Sequence, residues 1–217
     1  MTDDPLWKVF DGYHDQHLSL LREHKFIDAA GMWEDAAAEF EVAGSSEHAA
    51  TAIGFAGSAY SCAQKQNEAL SAYRKATELA PRDPLHRLTV GRFLLDFAGE
   101  PEAALEEIEW AISLAAKSPS TSCCLSEALG LLGVAWLRLG RDQDAINLFH
   151  QTCQAATAGP LKPLLDLRLA VEFIERGEFL NECAQLAADA VEWAKVTDND
   201  DLLARAKNLR ESIDTSA

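Results

Sequence analysis

Two histidines near the start of the chain are spaced so that they could share a metal ion. His14 and His17 are three residues apart on a predicted helix, with Asp11 and Asp15 beside them and His24 a little further on. Imidazoles at this spacing leave a helix on one face and can reach the same ion. The spacing fixes no third ligand, and a polar first helix in water explains the same residues. We therefore predict no metal site.

A second candidate is the neighbouring pair Cys123 and Cys124, which could act as redox-active or metal-binding thiols. Cysteines that share a tetrahedral metal are normally two to four residues apart, so small residues that open a helix are the favoured interpretation. The five cysteines are odd in number and irregularly spaced. An oxidised framework needs pairs, so the sequence predicts reduced thiols in a cytoplasmic protein.

The acidic residues form no recognisable catalytic arrangement. Glu106, Glu107 and Glu109 alternate with apolar residues, which is the pattern of a solvated helix face. The segment from Asp198 to Asp201 lacks the glycine and the distal glutamate of a calcium loop, and helix capping explains it better. The sequence contains no phosphate loop, dinucleotide fingerprint or hydrolase motif. We predict neither a catalytic site nor a cofactor.

The charge balance limits the classes of partner. Thirty-five acidic residues and nineteen Lys or Arg residues give a net charge of −16. This charge argues against nucleic acid, whose phosphates are bound by clustered Lys and Arg, and against an anionic membrane surface. The longest uncharged apolar run, from Ala128 to Leu137, is too short to cross a bilayer, and the first residues do not resemble a secretory signal. These features again favour the cytoplasm.

The elements that carry these residues are predicted to be helices. The chain contains 37 Ala and 29 Leu but only seven Val and seven Ile, and Ala and Leu lose little conformational freedom in a helix. Three segments repeat a small residue, a large residue at i+4 and a small or short residue at i+7, beginning at Ala69, Ala104 and Ala145. This spacing places the three residues on one helix face, where small side chains allow close helix contact.

A second helix precedes these segments and has its own small-then-aromatic pair. Gly57 and Tyr60 precede Ala69 by the same offsets at which Gly133 and Trp136 precede Ala145. Together with Tyr73, Ala76 and Pro81, these paired offsets make the chain resemble the tetratricopeptide repeat (TPR) family, which consists of repeated helix–turn–helix units. The resemblance implies an all-α, right-handed solenoid of about five helix pairs with a C-terminal capping helix.

The repeats are predicted to occupy nearly the whole chain as one domain, residues 1–217. Turn residues place the repeat boundaries near residues 44, 82, 120 and 160. The first and last copies are the least regular, as end repeats must present a polar outer face. The predicted repeats are 11–44, 51–81, 85–116, 125–157 and 162–196, and the predicted cap is 200–213.

In the TPR family, the first helix of each pair lines a concave face, so the resemblance implies which residues could bind a partner. The polar residues with which some family members hold a C-terminal carboxylate are replaced here by Gly, Ser, Thr and Phe at those positions. What remains is a largely apolar stripe, which forms either an exposed groove or part of the helix core. The candidate groove residues are Phe55, Ser58, His86, Val90, Phe93, Phe97, Leu131, Val134 and Arg138.

The function that these observations favour is a non-enzymatic adaptor, scaffold or chaperone-like binder. Its partner would be another protein or a peptide, with an amphipathic segment whose apolar side enters the groove and whose flanks are basic. The expectation of basic flanks rests on the excess of acidic residues. Half of the net charge lies in residues 1–50, which contain eleven acidic and three basic residues. The alternative is a sensory or regulatory module that binds a small peptide or metabolite.

Overall fold

The computed structural model describes residues 5–117, 122–157, 167–177, 179–196 and 200–216. Within these ranges the chain is helical and has no β-strand, and no helix is long and apolar enough to cross a bilayer. The prediction of an all-α protein is confirmed. The helices are α1 (Pro5–Arg22), α2 (Phe26–Val42), α3 (Ser46–Cys62), α4 (Gln66–Leu79), α5 (Pro84–Phe93), α6 (Pro101–Ala115), α7 (Ser122–Arg138), α8 (Asp142–Thr157), α9 (Leu167–Glu175), α10 (Leu180–Val196) and α11 (Asp200–Ser216).

The helix ends follow the predicted repeat boundaries closely. Breaks at 43–45 and 80–83 match the predicted boundaries near 44 and 82, whereas those near 120 and 160 lie outside the described residues. Helix α1 starts at Pro5, before the predicted start at residue 11. The turn between α9 and α10 contains two left-handed backbone conformations, at Gly177 (φ 70°) and Phe179 (φ 52°).

Helix α5 is continued by a π-helical turn, Leu94–Ala98, that the sequence pattern did not predict. A capping residue and a proline mark the start of this helix. The Asp83 carboxylate accepts a hydrogen bond from the Leu85 backbone N–H at 2.9 Å, and Pro84 follows the cap. Its other end widens into the π turn while Leu94 and Leu95 stay buried. π turns are uncommon and occur frequently at functional sites.

The helices form two compact units, Met1–Ala98 and Gly99–Ala217. In the first unit α1 packs on α2, α2 on α3, α3 on α4 and α4 on α5, while α1 also reaches α3. Its core is built largely of alanines, including the predicted anchors Ala69 and Ala76, into which Trp33, Phe40 and Tyr73 insert. The small residues let the helices approach closely: a Cβ at Gly57 would lie 2.6 Å from Cε1 of Tyr73.

In the second unit, α7 packs against α6, α8 and α9, and α10 and α11 pack on each other and on α9. The predicted anchors Ala104 and Ala145 are fully buried, as is Cys183 in α10. The capping helix α11 buries Ala206, Leu209 and Ile213. The two units are defined by their internal contacts, which do not test whether residues 1–217 form one domain. The single domain therefore stays a prediction.

Candidate functional site

The first unit contains a pocket of about 220 Å³ at the carboxyl ends of α3 and α5. Three of the nine predicted groove residues, Ser58, Phe93 and Phe97, line it. We call it the Phe97 pocket. Its lining is Ser58 and Ser61 from α3, Tyr73 from α4, Thr89, Arg92 and Phe93 from α5, and Phe97 from the π turn.

Helix periodicity explains how these side chains converge. Ser58 and Ser61 are three residues apart, and Thr89, Arg92 and Phe93 follow the i, i+3, i+4 pattern, so each set leaves one face of its helix. The π turn then places Phe97 next to Phe93 without burying it. The pocket therefore joins one face of α3 to one face of α5.

The apolar wall of the pocket is a row of three aromatic rings. Tyr73 and Phe93 have ring centroids 5.5 Å apart, and Phe93 and Phe97 are stacked at 5.1 Å with planes 28° apart. Offset stacking at such distances is favourable beyond the area that it buries. Tyr73 and Phe93 are buried, whereas 54% of Phe97 is exposed to solvent. The row thus runs from the core to an open aromatic face.

The polar side of the pocket is a set of hydroxyl groups that bond to the protein itself. The Ser58 hydroxyl donates to the carbonyl oxygen of Gly54 at 3.3 Å, and the Tyr73 hydroxyl donates to Oγ of Ser58 at 3.3 Å. The Thr89 hydroxyl donates to the carbonyl oxygen of Leu85 at 2.9 Å. All three hydroxyl hydrogens are therefore already used inside the protein.

Two further polar side chains complete the lining. Oγ of Ser61 is buried and has no hydrogen-bond partner within the described chain. Arg92 is exposed and is the single charged residue among those that line the pocket. A buried hydroxyl without a partner costs free energy, so Ser61 is a position where a bound group could add a hydrogen bond.

Phe55, another predicted groove residue, is partly buried and belongs to an aromatic cluster. Its ring is stacked on Trp33 at 4.9 Å with planes 18° apart, and Phe10 and His17 approach it at 5.8 and 5.7 Å. His14 also contacts it edge-on. Three rings of α1 therefore lie against Phe55 and cover part of it. We call these five residues the α1 cluster.

His86 and Val90 on α5 are also buried. Nε2 of His86 lies 3.8 Å from a carboxylate oxygen of Asp83. Burial lowers the pKa of His86, and the charge of Asp83 partly opposes this effect. Since neither side chain is accessible, both support the helix packing rather than an exposed groove surface.

The predicted residues of the second unit divide in the same way. Leu131 and Val134 on α7 are buried, which is the core alternative for the apolar stripe. Arg138 at the end of α7 is exposed and forms an ion pair with Glu172 of α9 at 3.6 Å. Of the nine predicted groove residues, Ser58, Phe97 and Arg138 are therefore exposed.

The residues first considered for chemistry do not assemble into a site in the described chain. The rings of His14 and His17 are 6.4 Å apart, and burial followed by the nearby charge of His14 lowers the pKa of His17. No three His, Cys, Asp or Glu side chains meet at metal-binding distances among the residues described. The side chain of Cys123 and residue Asp198 lie outside them.

Sequence reasoning located Ser58, Phe93 and Phe97 but missed the rest of the pocket. Tyr73 was recognised only as a packing anchor, and its hydroxyl bond to Ser58 connects residues 15 apart on different helices. The π turn also lacked a signal, because Phe93 and Phe97 keep the spacing of an ordinary helix face. Both features depend on tertiary packing.

Comparison with known proteins supports the fold. No family model matches the sequence, and no curated protein matches it significantly. Among solved structures, TPR-like repeats attributed to a kinesin light chain of Podosopora anserina match with TM-score 0.57 and 16% identity, covering 96% of this chain and 97% of that one. PilF of Pseudomonas aeruginosa matches with TM-score 0.56 and 18% identity, over 94% and 90%. MamA protein matches with TM-score 0.51 and 14% identity, over 94% and 89%.

Proposed function

We propose that the protein is a non-enzymatic interaction module, an adaptor, scaffold or chaperone-like binder for a segment of another protein. Its fold, which the solved structures support, is a TPR-like, all-α repeat solenoid. The Phe97 pocket is its principal contact surface. The observation that supports this most strongly is Phe97 itself, a large aromatic side chain held exposed on a helical element beside a pocket.

Physical chemistry explains why such an arrangement suits binding. Phe93 fixes one face of the Phe97 ring, so little side-chain freedom is lost when a partner covers the other face. Complete burial of a large apolar side chain stabilises a complex by about 1.5–3 kcal/mol. Aromatic residues in partly enclosed pockets are typical of the few positions that dominate interface energies.

Charge indicates the kind of partner segment. The net charge of −16, half of it in residues 1–50, favours an amphipathic segment with basic flanks. We expect the acidic surface to act mainly on the rate of encounter, because exposed charges steer association more than they strengthen a complex. Raising the salt concentration should then slow association more than it speeds dissociation.

The second candidate function is a sensory or regulatory module. The small volume of the Phe97 pocket favours it, because about 220 Å³ can hold a single side chain or a small organic group. In that case a small ligand alone would change the stability or dynamics of the first unit. A binder of protein segments would instead need the polypeptide around the inserted group for affinity.

The experiment is a comparative pull-down from native lysate with two matched variants. Phe97→Ser removes the exposed ring of the pocket, and Trp110→Ser removes an equally exposed aromatic ring (53%) from α6 in the other unit. Phe97 is a better choice than Phe93, because Phe93 is buried and its replacement would disturb the fold.

We expect the wild type and Trp110→Ser to retain the same partner and Phe97→Ser to lose it. Circular dichroism and thermal unfolding should show that both variants are folded. Equal retention by the two variants would overturn the assignment of the pocket, and loss with Trp110→Ser alone would move the interface to α6.

A further inference from the structure

We propose that the Phe97 pocket selects an aromatic side chain that carries a neutral hydrogen-bond donor, the indole N–H of tryptophan or the phenol O–H of tyrosine. This inference rests on the proposed function and specifies which part of the partner enters the pocket. It follows from the direction of the hydrogen bonds beneath the pocket together with the aromatic row beside it.

The direction of these hydrogen bonds is fixed by chemistry. A carbonyl oxygen can only accept. The Ser58 and Thr89 hydroxyls must therefore donate their single hydrogens to the carbonyl oxygens of Gly54 and Leu85. Ser58 then has no hydrogen left, and the Tyr73 hydroxyl must donate to it. What these three oxygens can still offer to a ligand is lone pairs, and the unpartnered Ser61 hydroxyl can accept as well as donate, so the bound group should be a donor.

The remaining lining narrows the donor to a neutral aromatic group. Phe93 and Phe97 present a stacked pair to which a third ring can add, and the volume of about 220 Å³ is of the order of one aromatic side chain. Lysine and arginine would bring a positive charge towards Arg92. A carboxylate could pair with the exposed Arg92, but it has no hydrogen to donate to the oxygens of Ser58 and Thr89.

The test uses small probes whose donor can be removed without removing the ring. These are N-acetyl-tryptophanamide and N-acetyl-tyrosinamide, with their 1-methyl-tryptophan and O-methyl-tyrosine counterparts. Dissociation constants are measured on the full chain by titration in ¹H–¹⁵N spectra. Methylation should weaken binding by about fivefold, the range of one hydrogen bond, with shifts centred on Ser58, Thr89 and Phe97. Tighter binding of the first probe identifies the indole as the preferred donor, and tighter binding of the second identifies the phenol.

A double variant separates a lost hydrogen bond from a steric effect of the methyl group. In Ser58→Ala/Thr89→Val two of the three accepting oxygens are gone while the aromatic row remains, so the ratio between the affinities of the donor probe and its methylated form should fall towards one. A ratio that stays the same in this variant would show that the methyl group simply does not fit, and would overturn the proposal. Equal or tighter binding of the methylated probes by the wild type would also overturn it.

Phe97→Ser supplies the remaining control, since it should weaken all four probes by a similar factor. Binding that is unaffected by this variant would place the probes elsewhere and contradict the proposal. If Phe97→Ser loses the protein partner in the pull-down but the wild type does not favour donor probes, the proposed function stands and the donor selectivity is wrong.

Discussion

Phe55 and Phe97 are both predicted groove residues, but the structure places them in different surroundings. Both are phenylalanines predicted to line the same face of successive first helices. Phe55 is partly buried, stacked on Trp33 and contacted by rings of α1, whereas Phe97 is stacked on Phe93 and left 54% exposed. The difference indicates that helix periodicity predicts the face of a side chain, whereas the packing of neighbouring helices determines how far that face is covered.

The α1 cluster and the Phe97 pocket therefore have different roles in our account. The cluster holds α1 on α2 and α3 through apolar contacts and contains the buried His17. The pocket contributes an open ring and hydroxyl acceptors, and the fold does not depend on its being filled. Replacements in the first region should affect stability, and replacements in the second should affect binding.

The largest contrast is expected from truncating one aromatic ring in each region. Trp33→Ala should lower the free energy of unfolding by about 3–5 kcal/mol, because a fully buried ring is replaced by a cavity. Phe97→Ala should change it by less than about 1 kcal/mol, because most of that ring already lies in water. Urea unfolding followed by far-ultraviolet circular dichroism measures both. Equal losses in the two variants would mean that Phe97 is a core residue in solution.

A smaller effect is expected where α3 and α4 meet under the pocket. Gly57→Ala should destabilise by about 1–3 kcal/mol, because the new Cβ would lie 2.6 Å from the Tyr73 ring and push it away from Ser58. Gly31→Ala in α2 is the matched control, because no heavy atom lies within 4 Å of its Cβ position. It should stabilise by about 0.5–1 kcal/mol.

Urea unfolding measures the stability of both variants. Binding of the aromatic probes should weaken in Gly57→Ala and stay unchanged in Gly31→Ala. A Gly57→Ala protein with wild-type stability and probe affinity would show that the close contact between α3 and Tyr73 is not maintained in solution.

The most modest expected effect is the pH dependence of stability that His17 of the α1 cluster contributes. Burial holds the pKa of His17 below its ordinary value of 6.5, so the folded state binds fewer protons than the unfolded state. The contribution of the neutral ring is therefore complete above pH 6.5 and is lost progressively as the pH falls below that value.

Unfolding curves between pH 7.5 and 5.5 test this expectation with His17→Gln as the comparison. The variant should lose less stability than the wild type over that interval, and its remaining loss should include the contribution of His86, whose pKa is also lowered. Parallel curves for the two proteins would rule out a buried neutral His17.

Much of the fold was predictable because its signals are local. The Ala and Gly anchors, the capping residue Asp83 and the turn residues fix helix identity and boundaries within one or two turns of chain. The candidate site was only partly predictable. Phe97 and Ser58 follow from helix phase. The burial of Leu131 and Val134 and the partial burial of Phe55 depend on neighbouring helices that no single segment encodes.

The central claim is that a partner contacts the open ring at position 97, and site-specific photocrosslinking tests it most directly. Benzoylphenylalanine is incorporated at position 97 or, as the control, at position 110, and each protein is irradiated in native lysate. Our account predicts a discrete crosslinked partner from position 97 and none from position 110, with the crosslink at an aromatic residue of an amphipathic segment. A crosslink that forms from position 110 and not from position 97 would contradict it.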